Sequence, residues 1–353
     1  MVKVLIVDDS SFMRKALAHI MASAQSIEVI GTAADGQEAI QKVNQLHPDV
    51  VLLDIEMPVM DGLTALVHIM AEHPTPVLML SALNKRDATI AIKSLEYGAV
   101  DFITKPSGVI SYDIDKLGKE IIAKVEAVAS VNVHKMRLPL TAERYQPQKP
   151  WLATRKGIVV IGASTGGPSA VAQVLSGFPR DISVAIIVVQ HMSPEFMSSF
   201  VDRLKWGCPL RISIAKRGET IEAGRVLIAP GSYHTMIVAN GSGNKIRLSR
   251  KASVQDIYPS IDYAMESAAQ AYGEGTLGVL LTGLGSDGAR GLKAIKEAGG
   301  STIAEDESTC VVFGMPKAAI EMGCVDEIVP LPRIAPAVLR MITSRKGCAK
   351  KNA

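Results

Sequence analysis

The chain has few of the features that mark several large protein classes. Its four cysteines, Cys208, Cys310, Cys324 and Cys348, have no closely spaced pair, so neither a zinc site nor a disulfide framework is indicated, and reduced thiols in a cytoplasm fit best. Charge of one sign does not accumulate. A formal net charge of +3 with acids and bases interspersed argues against a nucleic-acid surface and against a polybasic membrane anchor. No apolar run approaches the roughly 20 residues of a membrane span, and no signal-peptide pattern precedes the strand-like Val2 to Val7, so a cytoplasmic protein without direct membrane insertion is expected. What is present is 353 residues with 48% hydrophobic content, enough for two domains that each bury a core.

Residues 1–130 alternate short apolar runs with helical patterns five times over. The pattern predicts strands at Val4 to Val7, Ile27 to Gly31, Val50 to Asp54, Val77 to Leu80 and Val100 to Thr104, hence a flavodoxin-like, five-stranded parallel α/β domain. The pattern stops over 131–155, where Pro139, Pro147 and Pro150 stand among polar residues in what reads as a linker. Strand and helix patterns resume over 156–345, predicting a doubly wound, mostly parallel α/β domain. A stretch from Arg225 to Leu248, broken at Asn240-Gly241, reads as a β-hairpin, with the basic cluster Lys245 to Lys251 on its solvated surface. A lysine-rich tail over 346–353 is expected to fray.

In the second domain, the string Gly162-Ala163-Ser164-Thr165-Gly166-Gly167 follows the apolar run Ile158 to Ile161. Glycines at a strand-to-helix turn let the chain bend sharply and leave the Ser164 hydroxyl above the strand end, near helix N–H groups. The same string can cradle a phosphate or dinucleotide, which leaves a non-enzymatic regulator with a nucleotide- or partner-binding output domain as the alternative. No Walker lysine follows the turn, however, and Pro168 removes an N–H from the helix start. Two other strand-like runs end in chemistry-bearing residues, Val188-Val189-Gln190-His191 and Leu281-Thr282-Gly283-Leu284-Gly285-Ser286-Asp287. In an open parallel sheet such strand ends share one edge, where a serine nucleophile, a histidine base and an orienting aspartate could meet. The order Ser, His, Asp disfavours a standard α/β-hydrolase. Taken singly, His191 could be structural and Asp287 a helix cap. A thiol enzyme using Cys310 with His191 or His234 is a third reading, weakened by the apolar run around Cys310. Thr165, Tyr233 and His234 are read as packing.

The first domain carries its own cluster. Asp8 and Asp9 lie just past the first strand and Asp54 ends the third, gathering three carboxylates that a hard cation such as Mg²⁺ would stabilise. One of them could accept a phosphoryl group. Lys105 would set a cation beside it, and Ser81 a hydroxyl for a new phosphoryl oxygen. Singly, Asp8 could be a cap, Lys105 a surface charge and Ser81 a turn residue.

Asp8, Asp9, Asp54, Ser81 and Lys105-Pro106 match, position by position, the response-regulator receiver domain, which residues 1 to about 125 resemble. The segment from Leu52 to Gly62 is similar to that family's phosphoacceptor signature, and Phe102 to its aromatic switch. The resemblance implies phosphorylation of Asp54 by a chemotaxis histidine kinase, with Mg²⁺ held by Asp8, Asp9, Asp54 and the backbone carbonyl of Glu56. Residues 157–320 resemble the chemotaxis protein-glutamate methylesterases, the CheB family. The resemblance rests on the Ser164 string, Gln190-His191-Met192, Leu281-Thr282-Gly283 with Asp287-Gly288, and Val312-Phe313-Gly314-Met315-Pro316. It implies Ser164 as nucleophile, His191 as general base and acid, Asp287 as orienting carboxylate, and no cofactor for the ester step. The implied reaction is hydrolysis of γ-glutamyl methyl esters on the cytoplasmic helices of methyl-accepting chemoreceptors, with glutamine deamidation in many relatives. Leu284 stands where methionine is usual, and Ser193 where proline is frequent. A receiver that packs over the Ser164 crevice until Asp54 is phosphorylated is the expected form of control.

Overall fold

Short runs of Val, Ile and Leu that read as continuous rather than alternating form strands buried on both faces, as parallel sheets require. The structure, a computed structural model, describes residues 1–82, 84–105, 113–133, 157–240, 243–250 and 257–344. Most of the expected linker, the expected tail, Pro106 and Gly241 lie outside the described residues. The chain divides into two compact units, Met1–Leu138 and Pro139–Ala353.

The first unit runs β1 (Val2–Val7), α1 (Ser11–Ala22), β2 (Ile27–Ala33), α2 (Gly36–Leu46), β3 (Val50–Asp54), α3 (Gly62–Glu72), β4 (Val77–Ser81), α4 (Lys85–Ser94), β5 (Asp101–Thr104) and α5 (Asp113–Ala129). Its sheet has the order β2-β1-β3-β4-β5 with every pair parallel, the flavodoxin-like arrangement expected from sequence. Helix starts are encoded locally. Ser10, Asp35, Asp61 and Asn84 each accept the N–H three residues on, contributing about 1 kcal/mol apiece. Because Ser10 caps α1, the Asp8 carboxylate is left for the sheet edge.

The second unit runs β6 (Ile158–Ala163), α6 (Gly167–Ser176), β7 (Ala185–Gln190), α7 (Pro194–Gly207), β8 (Arg211–Ile214), β9 (Arg225–Ile228), β10 (His234–Asn240), β11 (Gly243–Ser249), α8 (Ile261–Tyr272), β12 (Thr276–Leu280), α9 (Ala289–Glu297), β13 (Ser301–Glu305), α10 (Met315–Glu321), β14 (Glu327–Val329) and α11 (Leu331–Ser344). Its main sheet has the order β14-β13-β12-β6-β7-β9-β8, parallel throughout. One face packs Val160, Ile187 and Val189 against Met265 and Ala268 of α8, Leu292 and Ile295 of α9, and Met315 of α10, with roughly 1.5–3 kcal/mol from each large apolar side chain buried.

The stretch from Arg225 to Leu248 is not one hairpin. Pro230 and Gly231 break it, so that β9 joins the main sheet while β10 and β11 pair antiparallel as a separate two-stranded sheet. Among the described residues no helix is long and apolar enough to cross a membrane.

Candidate active site

Strands β12, β6 and β7 are neighbours, and the residues that follow them meet at one edge. Register does the aligning. The Ser164 N–H donates to the Thr282 carbonyl at 3.0 Å and the His191 N–H to the Ala163 carbonyl at 3.0 Å, so the serine, histidine and Thr282 turns are stitched to one another. Gly166 adopts φ +74°, and a side chain there would stand 2.5 Å from Val311, which is why the turn needs glycine. A Cβ on Gly283 would lie 2.7 Å from the Ser164 Cβ, so the absence of a side chain lets the β12 turn close onto the serine. Gly167 N–H donates back to the Ser164 carbonyl at 2.8 Å.

His191 Nε2 lies 2.8 Å from Asp287 Oδ2. That nitrogen is the one that faces the carboxylate, so it carries the proton, and Nδ1 is left with its lone pair. Asp287 is buried and accepts three further hydrogen bonds, from Ile261 N–H at 2.7 Å, Asp262 N–H at 3.0 Å and the Ser260 hydroxyl at 3.1 Å. These are the first groups of α8. Burial pushes the Asp287 carboxyl up, but the His191 contact and these donors outweigh it and hold the group below its ordinary value. The aspartate is thus both the histidine's partner and a cap, though of α8 rather than of the helix that follows it.

A reciprocal arrangement surrounds it. Asp262, in the first turn of α8, accepts from Gly288 N–H and Gly291 N–H, both at 2.8 Å, and from Arg290 Nε at 2.9 Å. Burial and then the neighbouring Asp287 push the Asp262 carboxyl up. Each acid therefore holds the helix start from which the other projects.

The other strand-edge cluster belongs to the first unit. Asp8 and Asp54 are buried and Lys105 Nζ bridges them, at 2.9 Å and 2.7 Å. One cation faces two buried carboxylates, and burial pushes Asp54 from 3.8 to about 6 despite Lys105. Lys105 is itself pushed up, its two carboxylate partners outweighing the effect of burial. Asp8, Asp9 and Asp54 each bring an oxygen within 4.8 Å of the others, a set of hard oxygen donors with surplus negative charge that suits a divalent cation. Ser81 ends β4 beside Asp54, in register with Thr104, and the Lys105 N–H donates to its carbonyl at 2.8 Å. Phe102 is buried on β5.

Residues 159–338 match the CheB methylesterase family and residues 4–111 the response regulator receiver domain. A protein-glutamate methylesterase/protein-glutamine glutaminase of Pyrococcus horikoshii is 44% identical over 98% of this chain and 95% of its own length. The chain belongs to the CheB methylesterase family. A Pseudomonas aeruginosa relative with the same designation, numbered 2, is 42% identical over 99% of both chains. The crystal structure of the Thermotoga maritima CheB methylesterase catalytic domain superposes with a TM-score of 0.52 and 38% identity, covering 53% of this chain and 99% of that one.

The two departures from the CheB pattern leave the edge intact. Leu284 is 38% exposed and its side chain is not part of the hydrogen-bonded frame. Ser193 precedes α7 in extended conformation, with Pro194 in the helix's first turn, so the chain leaves His191 in a helix-starting geometry without a proline at 193. The thiol reading loses ground. Cys310 is raised strongly by burial and then by the carboxylates of Glu305 and Asp306, which keeps it from forming the thiolate a nucleophile needs.

Sequence reasoning assigned no role to several residues that shape this edge. Gln190 Nε2 donates to both the Ser164 carbonyl at 2.8 Å and the His191 carbonyl at 3.1 Å. Ser260 could have been found as a helix N-cap before an apolar run, but not as a partner of Asp287. His234, read as packing, is buried between Tyr258 and Tyr263, and its Nδ1 accepts from Ser260 N–H at 3.0 Å. Glu305, at the end of β13, is fully buried and pushed up to about 7, chiefly by burial. A carboxyl whose folded value lies above its ordinary 4.5 favours the folded state below the ordinary value and loses that contribution as pH rises through about 7. The neutral variant Glu305→Gln is therefore expected to raise the stability of the second unit by on the order of 3 kcal/mol at pH 8 and to leave it unchanged near pH 4. Thermal melts at the two pH values measure this.

Proposed function

We propose that the chain is a phosphorylation-controlled serine esterase of the cytoplasm that removes methyl groups from γ-glutamyl esters on chemoreceptor helices. The contact that carries this reading is His191 Nε2 to Asp287 Oδ2 at 2.8 Å, at the edge where the Ser164 turn is stitched to the same loops. In the mechanism it supports, the Ser164 hydroxyl attacks the ester carbonyl while His191 Nδ1 takes its proton. The ring's charge is then stabilised by Asp287 through Nε2. Donors for the developing oxyanion would come from the turn around Ser164 rather than from the helix's first residues, because Pro168 has no N–H and the Gly167 N–H is already given to the Ser164 carbonyl. His191 returns the proton to the departing methoxide, and methanol leaves. Water, deprotonated by the same nitrogen, then attacks the acyl-serine and frees the glutamate. A glutamine side chain could follow the same path with ammonia as the leaving group, as the designations of the relatives suggest.

In the receiver, Asp54 is the phosphoacceptor in this reading and a histidine kinase the donor, with Ser81, Lys105 and Phe102 as the residues that respond. Asp8, Asp9, Asp54 and the Glu56 backbone carbonyl would hold Mg²⁺, which neutralises charge on the phosphoryl group when bound. Asp54 and Asp8 are already brought together by Lys105. The test is methanol release from methylated receptor fragments. Wild type is expected to release it and Ser164→Ala to lose at least about 10⁴-fold in kcat; release by the alanine variant at the wild-type rate removes Ser164 from the reaction.

A further inference from the structure

The turn that carries Ser164 rests on Thr282. Thr282 offers its carbonyl to the Ser164 N–H at 3.0 Å and donates its hydroxyl to the Thr165 carbonyl at 2.9 Å. The same hydroxyl accepts from Val312 N–H at 2.9 Å, tying in the loop beside Gly283, whose N–H donates to the Val312 carbonyl at 3.0 Å. Thr282 thus holds both residues of the nucleophile turn, the Ser164 N–H through its carbonyl and the Thr165 carbonyl through its hydroxyl, while Gln190 and Gly167 hold the Ser164 carbonyl from the other side. Thr282 in turn has one anchor beneath it, its own N–H donating to Glu305 Oε2 at 2.8 Å.

Glu305 is an unusual anchor. It is 0% exposed, its other oxygen accepts the Thr309 hydroxyl at 3.0 Å, and among the described residues no cation pairs with it. A buried carboxyl served only by neutral donors is costly compared with an apolar side chain of the same volume. Groups kept in such surroundings next to a site are candidates for a role in it.

We propose that Glu305 is a positioning residue for the nucleophile: by holding the Thr282 peptide it sets where the Ser164 turn, and with it the attacking oxygen, stands. The proposal rests on the serine-esterase reading. Its action is indirect, since Glu305 touches Thr282 and not Ser164. Loss of the acceptor should leave substrate binding alone and lower the rate at which the oriented hydroxyl reacts, because small displacements of a reacting atom cost up to about 10²-fold. Glutamine keeps an acceptor for Thr282 N–H and can donate to the Thr309 oxygen, so it should restore the function.

The test compares the full-length chain with its Glu305→Met, Glu305→Gln and Thr282→Val variants. Two rates are measured: methanol release, resolved into kcat and KM, and covalent modification of Ser164 by an activated phosphonate ester, followed by mass spectrometry. Glu305→Met, which keeps the volume and removes both acceptors, is expected to lose about 10- to 100-fold in kcat and in modification rate, with KM within about twofold. Glu305→Gln is expected within about threefold of wild type in both, and Thr282→Val to fall with Glu305→Met. The Thr282→Val and Glu305→Gln comparisons stand even if Glu305→Met does not fold. Wild-type kcat in Thr282→Val, an effect confined to KM, or a glutamine variant as impaired as methionine overturns the proposal. Failure of the underlying reading shows up separately: wild type itself would then release no methanol and take up no phosphonate at Ser164.

Discussion

Asparagine at position 287 is expected to lower kcat for ester hydrolysis by about 10⁴-fold, the magnitude typical when the orienting acid of a serine triad becomes an amide. The reason lies in which ring nitrogen each partner takes. Asp287 Oδ2 lies 2.8 Å from His191 Nε2, and in the proposed mechanism it accepts that nitrogen's N–H and leaves Nδ1 as base for the serine. An amide nitrogen in that place needs an acceptor, so the imidazole proton moves to Nδ1 and the base is lost. Turning the amide over does not help. Its NH₂ group would then face the Asp262 N–H, while Ile261 N–H and Asp262 N–H already require acceptors on both sides of the carboxylate. One buried donor is left unmatched in either orientation, at a cost of about 1–3 kcal/mol. Two losses are therefore expected together, a kcat lowered by several orders of magnitude and an earlier melt of the second unit. Kinetics of methanol release and a thermal scan of Asp287→Asn measure both. A variant that melts earlier yet keeps kcat within tenfold of wild type would make Asp287 a helix cap only.

A small-molecule phosphodonor with Mg²⁺ is expected to raise esterase activity by up to about 100-fold. The figure follows from moving a restrained enzyme from about 1% to 99% competent, which takes roughly 5.5 kcal/mol of differential stabilisation. A phosphoryl group adds about −1.5 to −2 charge, and it would do so at a sheet edge where, among the described residues, Lys105 is the cation that bridges Asp8 and Asp54. The ion pair to Asp54 cannot survive unchanged when that carboxylate becomes an acyl phosphate, so Lys105 must find a new partner. Asp54→Asn should show the unstimulated rate with or without donor. A chain lacking residues 1–150 should have raised basal activity and no response. Equal activity of the full chain and this fragment without donor would mean that the receiver does not restrain the second unit.

Much of this was legible in the residues themselves. The receiver strands could be read because each is a short apolar run closed by a turn signal, and the register that brings Asp54 beside Leu80 on β4 follows from strands of similar length laid parallel. Ser164, His191 and Asp287 could each be placed past a strand end because a strand and its outgoing turn are adjacent in the chain. The stretch from Arg225 to Leu248 was harder. Apolar content marked it as extended throughout, but whether Arg225–Ile228 pairs with the hairpin or with β7 and β8 is settled by partners elsewhere in the chain.

The supporting residues were not legible at all. Ser260 and Asp287 are 27 positions apart, Asp262 and Gly291 are 29, and Thr282 and Glu305 are 23. A helix cap announces itself through a neighbour three residues away, whereas a carboxylate that caps a distant helix leaves no periodic mark. By itself the sequence determined the two α/β units, their strand ends and the residue types capable of the chemistry, since periodicity and turn chemistry act over a few residues. Only the tertiary structure decided which nitrogen of His191 meets Asp287, that Asp287 and Asp262 hold each other's helices, and that Glu305 lies beneath the serine turn. Hydrogen bonds between distant segments depend on how the sheet brings loops together, and that placement is a property of the packed fold rather than of any local stretch of chain.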